Sequence, residues 1–383
     1  MSSYQHVVIG GGVHGCAAAY HLARSGRSVV LLEAATLASA ASGGFGKRGV
    51  RGNKRDLREL PLLRRAYTLW PGLSDLLGAD VGYERTGGVN LIERPATGLR
   101  GGLVAARAHA QVQSALGVPT EVIDRERVLD LLPEVTDAVV GGLHAPLDGM
   151  GDQTATTRAY AAAAQRFGAV VVEGARVTRL ERDGAVVRAV ICDDGERYEV
   201  GESVLVAANA GAAPLVEREL GVALPLWTIY PQALRIRPPG TSPARLLVGH
   251  DSRTVSLKTV EDGVVMVSGG WQGRPGSDGS GEVLEDQVEG NLREAGAVFP
   301  ALAAAELLEA SAARPESCAQ DQIPIIDVVP GTANVLVAAG WTGHGFAIAP
   351  AVAEELSGWM LSGRRPPALA PFAVDRFVER VGT

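Results

Sequence analysis

The sequence predicts an α/β fold in two parts. One is a parallel-sheet domain assembled from discontinuous segments; the other is an α+β domain whose sheet is largely antiparallel. Three observations lead there. HVVIGGGVHGCAAAYHLARSGRSVVLLEA, residues 6–34, reads as strand, glycine turn, helix, strand and acid. Val7–Gly12, Val204–Gly211 and Val335–Gly340 share one style, a continuous apolar, β-rich run ending in small residues. Such runs suit parallel strands covered on both faces. Between them, GGVNLIE, RTVSLKTV and GVVMVSGGW are alternating or mixed strands separated by turns, which suits antiparallel pairing. Parallel-type segments thus stand at the start, middle and end of the chain. The expected division is 1–80, 150–220 and 320–383 for a nucleotide domain, and 81–149 and 221–319 for a substrate domain. GRPGSDGSGE, from Gly273 to Glu282, is expected to be an extended loop.

The composition narrows the classes. At 383 residues the chain is long for one core, in keeping with two lobes. A net charge of −7 argues against nucleic acid or an anionic membrane as the main partner. No apolar run approaches bilayer length, and the first strand begins by His6, too early for a secretory leader. Cys16, Cys192 and Cys318 are odd in number, far apart and without metal-like spacing, so no metal site is expected. A reducing, cytoplasmic setting suits them.

The opening motif justifies the first unit. Gly10-Gly11-Gly12-Val13-His14-Gly15 fits G-x-G-x-x-G. The first glycine permits the tight turn, the second lets backbone approach a pyrophosphate, and Gly15 lets helix pack close to strand. Glu33, followed by Ala34, ends the next strand, where a carboxylate accepts hydrogen bonds from ribose hydroxyls. An acid there disfavours a 2′-phosphate by repulsion, against NADP. NAD and FAD both remain compatible with this segment. His14 reads as a turn residue and Cys16 as a small packing residue.

The far end separates the two cofactors. NVLVAAGWTGHGFAIAPAVAEELSGWM, Asn334 to Met360, reads as strand, glycine-rich loop and helix. Gly340, Gly343 and Gly345 leave backbone N–H groups accessible around His344. A helix starting near Ala347 aims its positive end into that loop. A reduced flavin carries negative charge that such an end stabilises, whereas NAD has no comparable need.

The N-terminal glycine motif, SGGFGKRGVR and GWTGHGF together resemble the D-amino-acid-oxidase-like superfamily of FAD enzymes, in its sarcosine and glycine oxidase branch. SLKTVEDGVVMVSGGWQG is further similar to the β-subunits of heterotetrameric sarcosine oxidases and of opine or D-hydroxyproline dehydrogenases. The resemblance spans the whole chain. It implies a Rossmann-like FAD-binding domain and oxidation of a C–N bond in a secondary amine or amino acid. Oxygen is the expected acceptor, and a partner subunit or homo-oligomer is compatible with it.

Residue by residue, the resemblance implies that Ser42, Gly43 and Gly44 wrap the cofactor together with the basic group Lys47, Arg48 and Arg51. Arg48 would sit by the flavin and Arg51 near the substrate carboxylate; such cations in a cleft require anions. Val177 matches the strand that meets adenine, and Asn209, Ala210 and Gly211 match the stretch covering the cofactor. Ala213 stands where relatives carry an aromatic residue. His344, Gly345, Phe346 and Ala347 close the flavin site, His344 offering polar contact to flavin or substrate. Lys258, on an apolar strand, either snorkels outward or is held beside the flavin to help oxygen accept electrons.

Several family features are missing. Where monomeric sarcosine oxidases tether FAD through cysteine, alignment on Asp321 places Arg314, with Cys318 four residues downstream. Noncovalent FAD is therefore expected. The arginine that grips the carboxylate in glycine oxidases is Glu316 here, and the lysine after GHGF is Ala347. Tyr230 either lines the pocket or sits in the core. Two alternatives stay open: a dehydrogenase subunit passing electrons to a partner, and a flavin-binding subunit without its own turnover.

Overall fold

The computed structural model describes residues 2–43, 46–94 and 101–377. Its first unit is β1 (Ser2–Ile9), α1 (Val13–Arg24) and β2 (Val29–Leu32). β1 lies at the middle of a sheet ordered Ile325–Val328, Val335–Ala339, Arg197–Val206, β1, β2, Val170–Val172. Every pairing along that path is parallel except the edge pair Ile325–Val328 with Val335–Ala339. Two further strands, Val177–Asp183 and Val186–Cys192, extend it antiparallel from Arg197–Val206. This is the mixed, mostly parallel sheet expected of a Rossmann-like fold.

The burial pattern explains the continuous apolar runs. Val8, Leu31, Leu205 and Ala338 point to a face covered by α1 and by the helix Gly345–Ser362. Val7, Ile9, Val30, Val204 and Val337 point to the other face, under the helix Ala212–Leu220. With both faces covered, successive side chains are buried, each contributing about 1.5–3 kcal/mol.

A second sheet follows the order Glu306–Ser311, Ala233–Arg237, Val264–Ser268, Ser256–Glu261, Leu247–His250, Gly88–Ile92, Gly141–Ala145, Glu121–Asp124. It is antiparallel apart from Leu247–His250 beside Gly88–Ile92. Its back face packs Leu257, Val265 and Val267 on the helices Arg125–Leu131 and Glu285–Val298. Alternation then forces Ser256, Lys258, Met266 and Ser268 onto the front face, where all four line a cavity.

Two short pairs complete the cavity's frame: β3 (Lys47–Val50) with Gly149–Asp152, and Leu226–Ile229 with Glu316–Ala319. The segment Gly273–Glu282 corrects its expectation as a loop. Arg274–Pro275 pairs with Gly281–Glu282 as a small hairpin, because Gly279, at φ +82°, turns the chain back. Among the described residues no helix is long and apolar enough to cross a membrane.

Candidate functional site

A cavity of about 1050 Å³ runs from the β1–α1 loop to the front of the second sheet. It stands at the top of the range for ligand sites, about 300–1,000 Å³. At one end lies the opening glycine loop. Gly10 has φ +112°, and a Cβ there would come 2.5 Å from the Ala207 carbonyl oxygen. Gly12 is the N-cap of α1, has open space where a Cβ would be, and no acidic side chain occupies the first turn. The helix therefore presents unanswered N–H groups to the cavity, a fit for a pyrophosphate.

Glu33 accepts hydrogen bonds from Gly11 N at 2.6 Å and Ala35 N at 2.9 Å. Its carboxylate thus braces the glycine loop as well as lining the cavity beside Ala34. Gly15 does not line the cavity; a Cβ there would meet the Gly10 carbonyl oxygen at 2.0 Å. Gly15→Ala is expected to destabilise the protein by about 1–3 kcal/mol or more and to lower its bound dinucleotide. Denaturant unfolding and cofactor absorbance per chain measure the two effects.

At the same end Val177 lines the cavity with Arg176 and Thr178, and Asn209 and Gly211 line it from beyond Arg197–Val206. Ala210 does not. Gly44 lies outside the described residues; Ser42 and Gly43 line the cavity.

The closing loop supplies a second uncapped helix end. Gly343 has φ +77°, and His344 is the N-cap of Gly345–Ser362 without a side-chain cap or first-turn acid. The helix starts two residues before its expected position near Ala347, at Gly345, where a Cβ would meet His14 and Trp341 within 3 Å. His344, Gly345 and Phe346 line the cavity. Ala347 is buried instead, its carbonyl accepting from Trp70 Nε1 at 2.9 Å, and Gly340 donates its N–H to Ser317 Oγ at 2.7 Å. Burial, then Arg55 and Arg51, hold the His344 imidazole down to about 3, so it is neutral near pH 7. Neutral imidazole suits polar contact and excludes a resident charge there.

His14 overturns its reading as a turn residue. It is buried on α1, lines the cavity and stacks on Trp341 at 3.6 Å between ring centroids with planes 1° apart. Burial holds it down to about 3.

Cations gather where β3 and the second sheet line the cavity. Lys258 is only 6% exposed. Burial, then Arg48 and Arg51, push its ammonium down to about 7. Arg48 is lowered to about 10 by burial and Arg314, against Asp152 and Glu316. Burial lowers Arg51 as well, followed by Arg55. Positive groups that weaken one another's protonation around one space form a receptor for an anion. Lys47, grouped with them in sequence, does not line the cavity; its Nζ meets Glu84 at 2.7 Å.

Behind Arg51 stands a network the sequence did not disclose. Asp148 is buried, accepts from Gly52 N at 2.8 Å and from the Tyr67 hydroxyl, and its carboxyl is pushed up to about 7 by burial. Arg55 pairs with buried Glu59 at 3.1 Å and donates to the His344 carbonyl at 3.0 Å.

Glu316 lines the cavity at 4% exposure. Ser42 Oγ donates to its Oε2, and its Oε1 is buried without a partner. Burial raises the carboxyl to about 7. Arg314 and Cys318 flank it outside the cavity lining, and burial raises the Cys318 thiol to about 11. Tyr230 neither lines the cavity nor enters the core; it is half-buried with its hydroxyl 3.4 Å from the Gly279 carbonyl.

A family model described as "FAD dependent oxidoreductase" matches residues 5–359. The chain is 25% identical over 391 residues to the sarcosine oxidase subunit beta of Arthrobacter sp, covering 98% of this chain and 91% of that one. It is 27% identical over 387 residues to the 4-methylaminobutanoate oxidase (formaldehyde-forming) of Paenarthrobacter nicotinovorans, covering 96% of this chain but spanning 45% of that relative. The crystal structure of L-proline dehydrogenase from P. horikoshii superposes with a TM-score of 0.87 at 24% identity, over 98% of each chain, which shows the shared fold.

Proposed function

The chain belongs to the FAD-dependent oxidoreductase family, and from that premise we propose that it oxidises a C–N bond of a secondary amine or amino acid to an imine, with oxygen as acceptor. FAD supplies a two-electron acceptor for the hydride leaving the substrate's α-carbon. The amine nitrogen lone pair becomes the second bond of C=N as that hydride departs. Water then adds to the imine carbon, and C–N cleavage gives a carbonyl compound and an amine.

The chain's residues divide the remaining work. Gly10, Gly12 and the α1 N-terminus hold the pyrophosphate, while Val177 and Glu33 face the nucleoside end. Ser42, Gly43, Arg48, Asn209 and the Gly343–Phe346 loop enclose the flavin end. Arg51 takes the substrate carboxylate, and Lys258 supplies positive charge for oxygen. The parallel sheet is assigned to the cofactor and the antiparallel sheet to the substrate. Noncovalent FAD is part of the proposal, and the position of Cys318 outside the cavity lining supports it.

The supporting observation is the juxtaposition of two uncapped helix ends with Arg48, Arg51 and Lys258 around one cavity. Anaerobic mixing of the purified protein with secondary amines and D-amino acids tests the reading. Bleaching of the flavin, then fast reoxidation and peroxide on admitting air, is the expected result. Bleaching that persists in air transfers the protein to the dehydrogenase reading, with electrons passed to a partner. Absence of bleaching across the panel overturns amine oxidation for those substrates.

A further inference from the structure

We propose that Arg55 is a positioning residue, whose guanidinium fixes the substrate's carboxylate anchor, Arg51, relative to the closing loop at His344. It thereby sets where the substrate's α-carbon lies against the flavin end of the cavity. The inference rests on the amine-oxidation reading and gives a task to a residue which that reading leaves unassigned. The geometry carries it. Lys54, at φ +60°, turns the chain after Arg51, and Arg55 folds back. Its Nε donates to the Arg51 carbonyl at 3.2 Å and its Nη2 to the His344 carbonyl at 3.0 Å, while Nη1 pairs with Glu59 Oε1 at 3.1 Å. One side chain thus joins a turn to a loop 289 residues away.

Such a pair needs a reason. The Arg55 and Glu59 side chains are 3% and 1% exposed, and the cost of taking two charges out of water makes a buried ion pair a poor source of stability. Burial raises the Glu59 carboxyl, and Arg55 works against that rise. The cation also stands at the N-terminal end of Gly345–Ser362, where the helix dipole disfavours it. Holding a register is the best-attested use of a buried pair. Gly52 N on Asp148 at 2.8 Å and Asn53 Nδ2 on the Leu143 carbonyl at 3.0 Å anchor the turn on one side. Arg55 ties it to the cofactor side.

Arg55 reaches the cavity lining, yet each of its three guanidinium nitrogens is engaged, so it acts through Arg51 and His344, which line the same cavity. The α-carbon of an amino acid is one bond from the carboxylate that Arg51 takes. A shift of Arg51 against the closing loop therefore moves that carbon by a similar amount. Misplacement by about 1 Å, from a change away from the chemistry, costs on the order of 10²-fold in rate.

The test separates positioning from a general structural role. Anaerobic stopped-flow reduction of the holoprotein is followed with an amino acid and with its decarboxylated amine, drawn from the compounds that bleach the wild type. Lysine cannot reproduce the planar fork of arginine. Arg55→Lys is expected to lower the limiting reduction rate with the amino acid about 10²-fold, and to leave the amine, which Arg51 does not anchor, near the wild-type rate. In an Arg51→Met background, Arg55→Lys should add little further loss with the amino acid. Equal losses with acid and amine, or full additivity in the double variant, overturn the proposal. A second readout needs no turnover. Glycine betaine carries a carboxylate and a quaternary nitrogen without a lone pair, so it binds without reducing the flavin. The flavin difference spectrum at saturating betaine is expected to change in Arg55→Lys; an unchanged spectrum overturns the proposal. If Arg55→Lys does not retain FAD, Glu59→Gln, which keeps the guanidinium and removes its counter-charge, is read in the same way. A panel without bleaching sinks the parent reading; equal losses in a protein that does bleach sink only this one.

Discussion

Lys258→Met is expected to slow reoxidation of the reduced protein by oxygen about 10²–10³-fold, with a much smaller effect on reduction by substrate. The asymmetry follows from position. Lys258 is on the cavity face of Ser256–Glu261, opposite Met266, with Leu257 turned into the core. A buried cation there acts on charge as it develops on oxygen, where little water screens it. Stopped-flow mixing of the reduced protein with oxygen gives the rate directly; an unchanged rate removes Lys258 from the oxygen half-reaction.

The same lysine predicts two pH dependences. Its ammonium is held down to about 7 against the ordinary 10.5. Reoxidation should fall as pH rises through about 7 in the wild type and stay flat in Lys258→Met. Between those two values the unfolded chain binds the proton that the folded chain has lost. Stability of the cofactor-free protein therefore rises with pH over that window, and the methionine variant lacks that contribution. Denaturant unfolding at the two ends of the window measures it.

Arg51→Met is expected to weaken binding of carboxylate-bearing substrates by about 2–5 kcal/mol, roughly 30-fold to several thousand-fold in KM. An amine without a carboxylate should lose far less. The contrast follows from how Arg51 is held: half-buried in the cavity wall, with Asp148 and Tyr67 behind it and Arg55 beside it. Steady-state comparison of an amino acid with its decarboxylated amine checks it. Equal losses for both would make Arg51 a structural cation.

How much of this was legible in sequence depended on how local the signal is. The β1–α1–β2 unit was readable because strand, glycine turn, helix and acid are contiguous. Lys258 was flagged because a cation in an alternating apolar strand needs a reason. Glu316 was visible only as a departure from relatives; its buried setting emerges when Ser42, Asn209 and Gly343, distant in sequence, converge on it. The pairing of Tyr67 with Asp148 spans 81 residues and no periodicity connects them. His14 looked like turn filler because nothing nearby foretells the ring of Trp341 lying flat on it. The Gly273–Glu282 hairpin was misread because its glycines serve a turn as well as they serve a loop.

The interleaving of the parallel sheet also bears on synthesis. β1, β2 and Arg197–Val206 can pair once residue 206 has emerged, but Arg197–Val206 gains its other parallel neighbour only with Val335–Ala339. The intervening stretch takes on the order of ten seconds to translate. During that interval the nascent sheet has an open apolar edge, a template for mispairing. The second sheet, whose strands run from Gly88 to Ser311, emerges before that edge is covered. Slowed translation should therefore lower soluble yield more than a chain with contiguous domains would suffer, and chaperones that shield strand edges should restore it.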